Sequence, residues 1–222
     1  MEKKMWCVPT LSSEYIERME DVLDLYAKQY NPDEPVIGVD EKTLQLLDHL
    51  HSPLPMSSTH GTRVDYQYKR NGSVNIFVGI EPKGGRRRLI VKAKKERVDF
   101  LAFLFEINIE YPDAIIIHLI LDNLSSHCEK GICEAERMYP FLKRFKFHFT
   151  PKHASWLNVA ELEIGVLERQ CLKDTRFPTI PILEDAVDAW QQDRNECGTK
   201  IKWKFTTADA RKAFKYSRNR LN

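Results

Sequence analysis

At 222 residues, 42% hydrophobic and 30% charged, the chain has an ordinary globular profile and is long enough for one cored domain with an appendage. No apolar run approaches the roughly 18 residues of a membrane span and no signal peptide is expected, which excludes a helical membrane protein. The formal net charge of +2 hides segregation: residues 60–95 carry ten Lys/Arg against two acids and residues 200–222 carry eight against one, leaving a strongly acidic remainder. Such a split suggests an anionic partner, the alternative being two solvated faces.

In chain order, residues 6–13 are an extended lead-in closed by a helix cap. A helix is predicted over 13–30, with Tyr15, Ile16, Met19, Val22, Leu23, Leu25 and Tyr26 near helical spacing. Its acids, Glu14, Glu17, Glu20, Asp21 and Asp24, read as a solvated face. Asn31-Pro-Asp-Glu-Pro35 breaks that helix and delivers a short apolar strand that terminates on Asp40. After a loop over 52–59, residues 65–70 alternate as a strand, Asn71-Gly72 is a hairpin signal, and residues 73–80 form the return strand. Pro82-Lys-Gly-Gly85 turns into a third strand over 86–92, and a helix follows over about 95–110.

Residues 114–122 are a continuous β-branched and leucine run, the mark of a strand buried on both faces, and it stops on Asp122-Asn123. A helix over 129–138 and a strand over 144–149 come next. The helix after Ser155 carries the stripe Leu157, Ala160, Ile164, Leu167 and Cys171. Two further helices are predicted over 181–196 and 206–216. Ile201-Lys-Trp-Lys-Phe with Arg211, Lys212, Lys215, Arg218 and Arg220 makes a basic aromatic tail. It either tracks phosphates or packs Trp203, Phe205, Ala210 and Phe214 as an amphipathic core.

Chemistry concentrates where strands end in acids. In open α/β sheets, sites lie at the carboxyl ends of strands, although Asp-Asn is also a common turn opening. Asp40 and Asp122 at one sheet edge would repel, so the pair needs a cation or a shared proton. Hard oxygen ligands suit Mg²⁺ or Mn²⁺ rather than zinc. Residues 147–161 run from a strand through Pro-Lys-His into a helix that begins near Glu161. Asp, Asp and Glu together suit metal-assisted phosphoryl transfer. Spacing alone does not separate Glu161 from Glu163, and Glu161 could instead close a capping box with Asn158. The cysteines, at 7, 128, 133, 171 and 197, have no Cys-x-x-Cys spacing, and His127-Cys128 with Cys133 lacks a completing pair for zinc. Free thiols fit a reducing compartment.

Three segments, Val39-Asp-Glu-Lys, Leu121-Asp-Asn-Leu-Ser-Ser-His and Thr150-Pro-Lys-His-Ala-Ser-Trp-Leu-Asn-Val-Ala-Glu, resemble the signatures of Tc1/mariner-like DDE transposases, most closely the bacterial IS630 branch. Residues 63–72 are similar to that branch as well, and the resemblance spans about residues 5–195. It implies an RNase H-like α/β fold with a central mixed sheet flanked by helices, two Mg²⁺ or Mn²⁺ ions, and DNA cleavage and joining at transposon ends. Carried onto this sequence, Asp40, Asp122 and Glu161 are the catalytic and metal-binding residues, and the 39 positions from Asp122 to Glu161 suit the family. Asn123, His127, Lys152, His153 and Asn158 are expected to support the metals or touch DNA. Arg63, Lys69, Arg70, Arg86, Arg87 and Arg88 are expected to contact its backbone.

The expected organisation is a lead-in helix to residue 34, a catalytic domain over 35–196 and a basic tail over 197–222, without the helix-turn-helix region that reads terminal repeats in this family. Double-stranded DNA is the expected partner, with a homodimer or a separate helix-turn-helix-bearing half. The expected setting is the bacterial cytoplasm, nucleoid-associated when DNA is bound. Two other readings stand beside this one: a silent DNA-binding remnant or regulator, and a nuclease acting on RNA–DNA hybrids.

Overall fold

The chain builds one sheet from β1 (Val36–His49), β2 (Tyr68–Glu81), β3 (Arg86–Lys92), β4 (Ile117–Leu121) and β5 (Phe145–Phe149), in the spatial order β3-β2-β1-β4-β5. This computed structural model describes residues 11–122 and 135–216. β1, β2 and β3 are antiparallel neighbours, whereas β4 and β5 run parallel to β1. Parallel neighbours need a crossover, which α2 (Arg97–Glu110) supplies between β3 and β4. The sheet is mixed, as expected.

Strand alternation sends the two faces to different helices. Ile37, Val39, Phe77, Leu119, Leu121 and Phe145 face α2, where Phe100, Phe103, Leu104 and Ile107 complete one core cluster. On the other face Ile80 and Ile120 pack with α1 (Ser13–Ala27), α3 (Val159–Leu167) and α5 (Thr207–Phe214), while Ile76, Val78, Leu89 and Val91 meet α4 (Ile180–Glu196). The first helix and the tail therefore fill the same core as the central strands. Trp203 packs tilted against Tyr26 with ring centroids 4.8 Å apart, and Trp156 meets Phe205 at 5.6 Å.

Three expectations need correction. β1 does not stop at Asp40 but runs nine residues further, to His49, paired with β2. Asn71-Gly72 is not a hairpin turn: Gln45 pairs with Ser73 and Leu47 with Arg70, so Asn71 and Gly72 together oppose Leu46 as a bulge. Gly72, at φ 105°, supplies the positive φ that a turn and a glycine bulge both require, which is why the dipeptide misleads. Asn71 also donates to the Pro178 carbonyl, fastening the bulge to the loop before α4. Finally, the acids of α1 are not all solvated. Glu20 accepts from Arg211 and Tyr216, Asp24 from Thr207, and Asp21 lies 2.5 Å from His148 Nδ1.

Candidate active site

β1 and β4 pair in parallel only as far as Gly38 opposite Ile120. β4 then ends while β1 continues, which opens the β1 edge. Asp40 and Asp122 each lie two residues beyond that last pair, at the same end of the two strands. Asp40 shares the parity of Val36 and Gly38, and Asp122 that of Ile120, so both carboxylates belong to the face covered by α1 and α3. Glu161 lies in the first turn of α3, on the exposed side of that helix. The three acids thus come from two parallel strands and one helix at the same end of the same sheet face.

Their charges interact. Burial pushes the Asp40 carboxyl up to about 7, and Asp122, Glu161 and Glu41 push the same way, against a 2.7 Å bond from the Glu41 N–H that favours ionisation. Asp122 accepts a 2.8 Å bond from the Thr150 hydroxyl, a neutral donor that leaves its charge in place. Among the described residues no three His, Cys, Asp or Glu side chains converge closely enough to cage an ion. A Mg²⁺ site does not need such a cage, because one or two carboxylates commonly hold the ion and water and substrate phosphate fill the remaining positions. The Asp40–Asp122 pair fits that pattern, with Glu161 at the rim.

The seat of α3 is built to bring its N-terminus against β1. Asn158 caps the helix through Ala160 N–H (3.1 Å) and donates to the Val39 carbonyl (2.8 Å), the residue before Asp40. Tyr26 donates to the Leu157 carbonyl and accepts from Val159 N–H. Gly38 makes room: a Cβ there would lie 2.4 Å from Val159 Cγ1 and 3.2 Å from Ala160 N. The cap bond thus belongs to Asn158 itself, and the carboxylate of Glu161 is left on the exposed face. Asn158 is fully buried, so it is a structural link and does not face DNA.

The structure separates the two glutamates that spacing could not. Glu163 is 1% exposed and accepts from Arg87 Nε at 2.6 Å and from Arg194 at 3.3 Å. Arg87, itself 1% exposed, also donates to the Gly85 and Thr199 carbonyls. This corrects the expectation that Arg87 contacts DNA, since its charge is spent inside the protein. Arg88 is likewise diverted, to Glu106 at 2.6 Å and Glu110 at 3.4 Å, and exposed Arg86 lies over the Tyr111 ring. Arg63, Lys69 and Arg70 are exposed on and beside the far end of the β1–β2 arm. Lys152 and His153 are exposed at the turn between β5 and α3, His153 at φ 62°. Asn123 and His127 lie outside the described residues. Sequence reasoning did not single out Gly38, Tyr26 or Thr150. Of these, Thr150 stands within a quoted motif, whereas nothing local marks Gly38 or Tyr26.

The sequence family described as DDE superfamily endonuclease matches residues 35–184, which contain every acid of the site. The chain belongs to that family. It is a DDE-type endonuclease domain, and its sheet and helices form the RNase H-like fold. The Mos1 mariner paired-end complex with Mn is similar at a TM-score of 0.57 and 13% identity, over 90% of this chain and 62% of that one. The Mos1 strand transfer complex is similar at 0.52 and 12%, over 89% and 62%. The DDE domain described here therefore spans less than two thirds of the Mos1 chain. No curated protein sequence matches it.

Proposed function

We propose that this domain cuts and rejoins DNA strands as the catalytic part of an IS630-type transposase, with Asp40, Asp122 and Glu161 as the catalytic acids. The observation that supports this reading is Asp40 itself: burial pushes its carboxyl up to about 7, and the charges of Asp122 and Glu161 are near enough to push the same way. Asp40 and Asp122 would hold divalent metal, two ions in all, and Glu161 would complete the set. When bound, such ions lower the pKa of an attacking water or 3′-hydroxyl and stabilise the departing oxygen.

The chain's own groups do the rest. Asn158 and Tyr26 fix the helix bearing Glu161 against the strand bearing Asp40, so the acids are held in place before DNA arrives. Exposed Lys152, in the turn that leads into the helix bearing Glu161, offers a cation to the phosphate backbone, and Lys202 and Lys204 are exposed while Ile201, Trp203 and Phe205 pack inward. The partner is double-stranded DNA, at transposon ends and target, engaged as a homodimer or with a helix-turn-helix-bearing half, in a bacterial cytoplasm.

The test is nicking of supercoiled plasmid by the purified chain with Mg²⁺ or Mn²⁺, beside Asp122→Ala and an RNA–DNA hybrid substrate. Metal-dependent nicking of plasmid that Asp122→Ala lacks supports the reading. Binding without nicking would favour a silent regulator, and preference for the hybrid would favour a nuclease of another substrate class.

A further inference from the structure

Thr150 is the first residue past β5, and its hydroxyl donates to Asp122 Oδ1 over 2.8 Å. Its own position is tightly set. Its N–H donates to the Leu121 carbonyl at 3.0 Å, one step beyond the last β4–β5 pair, Leu121 with Phe149. Pro151 follows and holds Thr150 in extended backbone, and branching at Cβ confines its χ1. The residue is 1% exposed, so its hydroxyl is a buried donor that must be bonded to be tolerated. Asp122 is placed differently: it follows the last residue of β4, where the strand no longer restrains it.

We propose that Thr150 is a positioning residue that prepares Asp122 for metal. This rests on reading Asp122 as a ligand. The hydroxyl engages Oδ1 and holds the carboxylate in one rotamer, and among the described residues Oδ2 accepts no other bond, which leaves it for the ion. A threonine serves this purpose where an arginine would not. It fixes the carboxylate without cancelling its charge, whereas Arg87 and Arg194 cancel that of Glu163. A valine of the same shape would pack equally well and fix nothing.

The experiment is calorimetric titration of the metal-free full chain with Mn²⁺, for wild type, Thr150→Val, Thr150→Ser and Asp122→Ala, with a thermal melt of each protein before metal is added. Thr150→Val is expected to weaken Mn²⁺ binding about 10- to 100-fold, the range for losing a group that orients a ligand, with the metal-free melt little changed. Thr150→Ser keeps the donor and is expected to stay close to wild type. Should Thr150→Val fail to fold, Thr150→Ala, which also lacks the donor, carries the same expectation. Wild-type Mn²⁺ affinity in Thr150→Val, with binding lost in Asp122→Ala, would overturn the positioning role and leave the metal reading intact. Wild-type affinity in Asp122→Ala would remove the metal reading itself, and this inference with it.

Discussion

Glu161 and Glu163 stand two residues apart on one short helix and meet opposite surroundings. Glu163 points into the protein, where Arg87 and Arg194 neutralise it, and the ion cluster ties α3 to β3 and α4. Glu161 is exposed, and the charges acting with it at the strand ends are those of Asp40 and Asp122. Among the described residues Glu163 has two arginine partners while Glu161 lies among like charges, and we propose that Glu161 serves a cation from outside the protein.

If that contrast is right, Glu161→Gln and Glu163→Ala should fail in different assays. The largest effect is expected in cleavage: Glu161→Gln or Asp122→Ala should lower metal-dependent nicking on the order of 10³-fold, the scale of losing a preorganised electrostatic group, with unfolding midpoints little changed. Next is Glu163→Ala, which strands Arg87 as an unpaired buried charge. Urea unfolding should show a loss of about 3–5 kcal/mol. Gly38→Ala forces a methyl into Val159 and the start of α3, so about 1–3 kcal/mol of stability should go, together with much of the cleavage as Glu161 shifts relative to Asp40.

A further effect is one of pH on the metal-free protein. Asp40 is held near 7 in the folded chain, against 3.8 for an ordinary aspartate. The folded state keeps that proton where the unfolded state has lost it, so the stability contributed by Asp40 is fully present below about pH 4 and is lost as pH rises through about 7. Thermal melts across that window should show the slope in wild type and a flatter profile in Asp40→Asn. Added Mn²⁺ should oppose it, since a cation favours the ionised carboxylate.

Much of this was legible in the sequence because it is local. Continuous apolar runs announced β1 and β4, the alternation of residues 144–149 announced β5, and the ordered acids with their flanking motifs pointed to the candidate site. What stayed hidden depends on pairing across the chain. Asn71-Gly72 reads the same as a turn or a bulge until β1 is known to continue opposite it. Arg86, Arg87 and Arg88 form one basic run on paper, yet strand alternation sends Arg87 to Glu163 and Arg88 to the acids of α2. The acidic face of α1 looked solvated because Arg211, Tyr216 and Thr207, which cover it, lie 183 to 196 residues away. Glu161 and Glu163 were equivalent on the helical wheel, and only the partners of Glu163 told them apart.

We propose that Asp40 and Asp122 form a cation site at this end of the sheet. Anomalous diffraction from crystals of the chain grown with Mn²⁺ tests it directly. The account predicts a manganese peak within bonding distance of carboxylate oxygens of both Asp40 and Asp122, lost in Asp122→Ala. A crystal in which those carboxylates bind no metal, or in which manganese sits elsewhere while they remain bare, would contradict it.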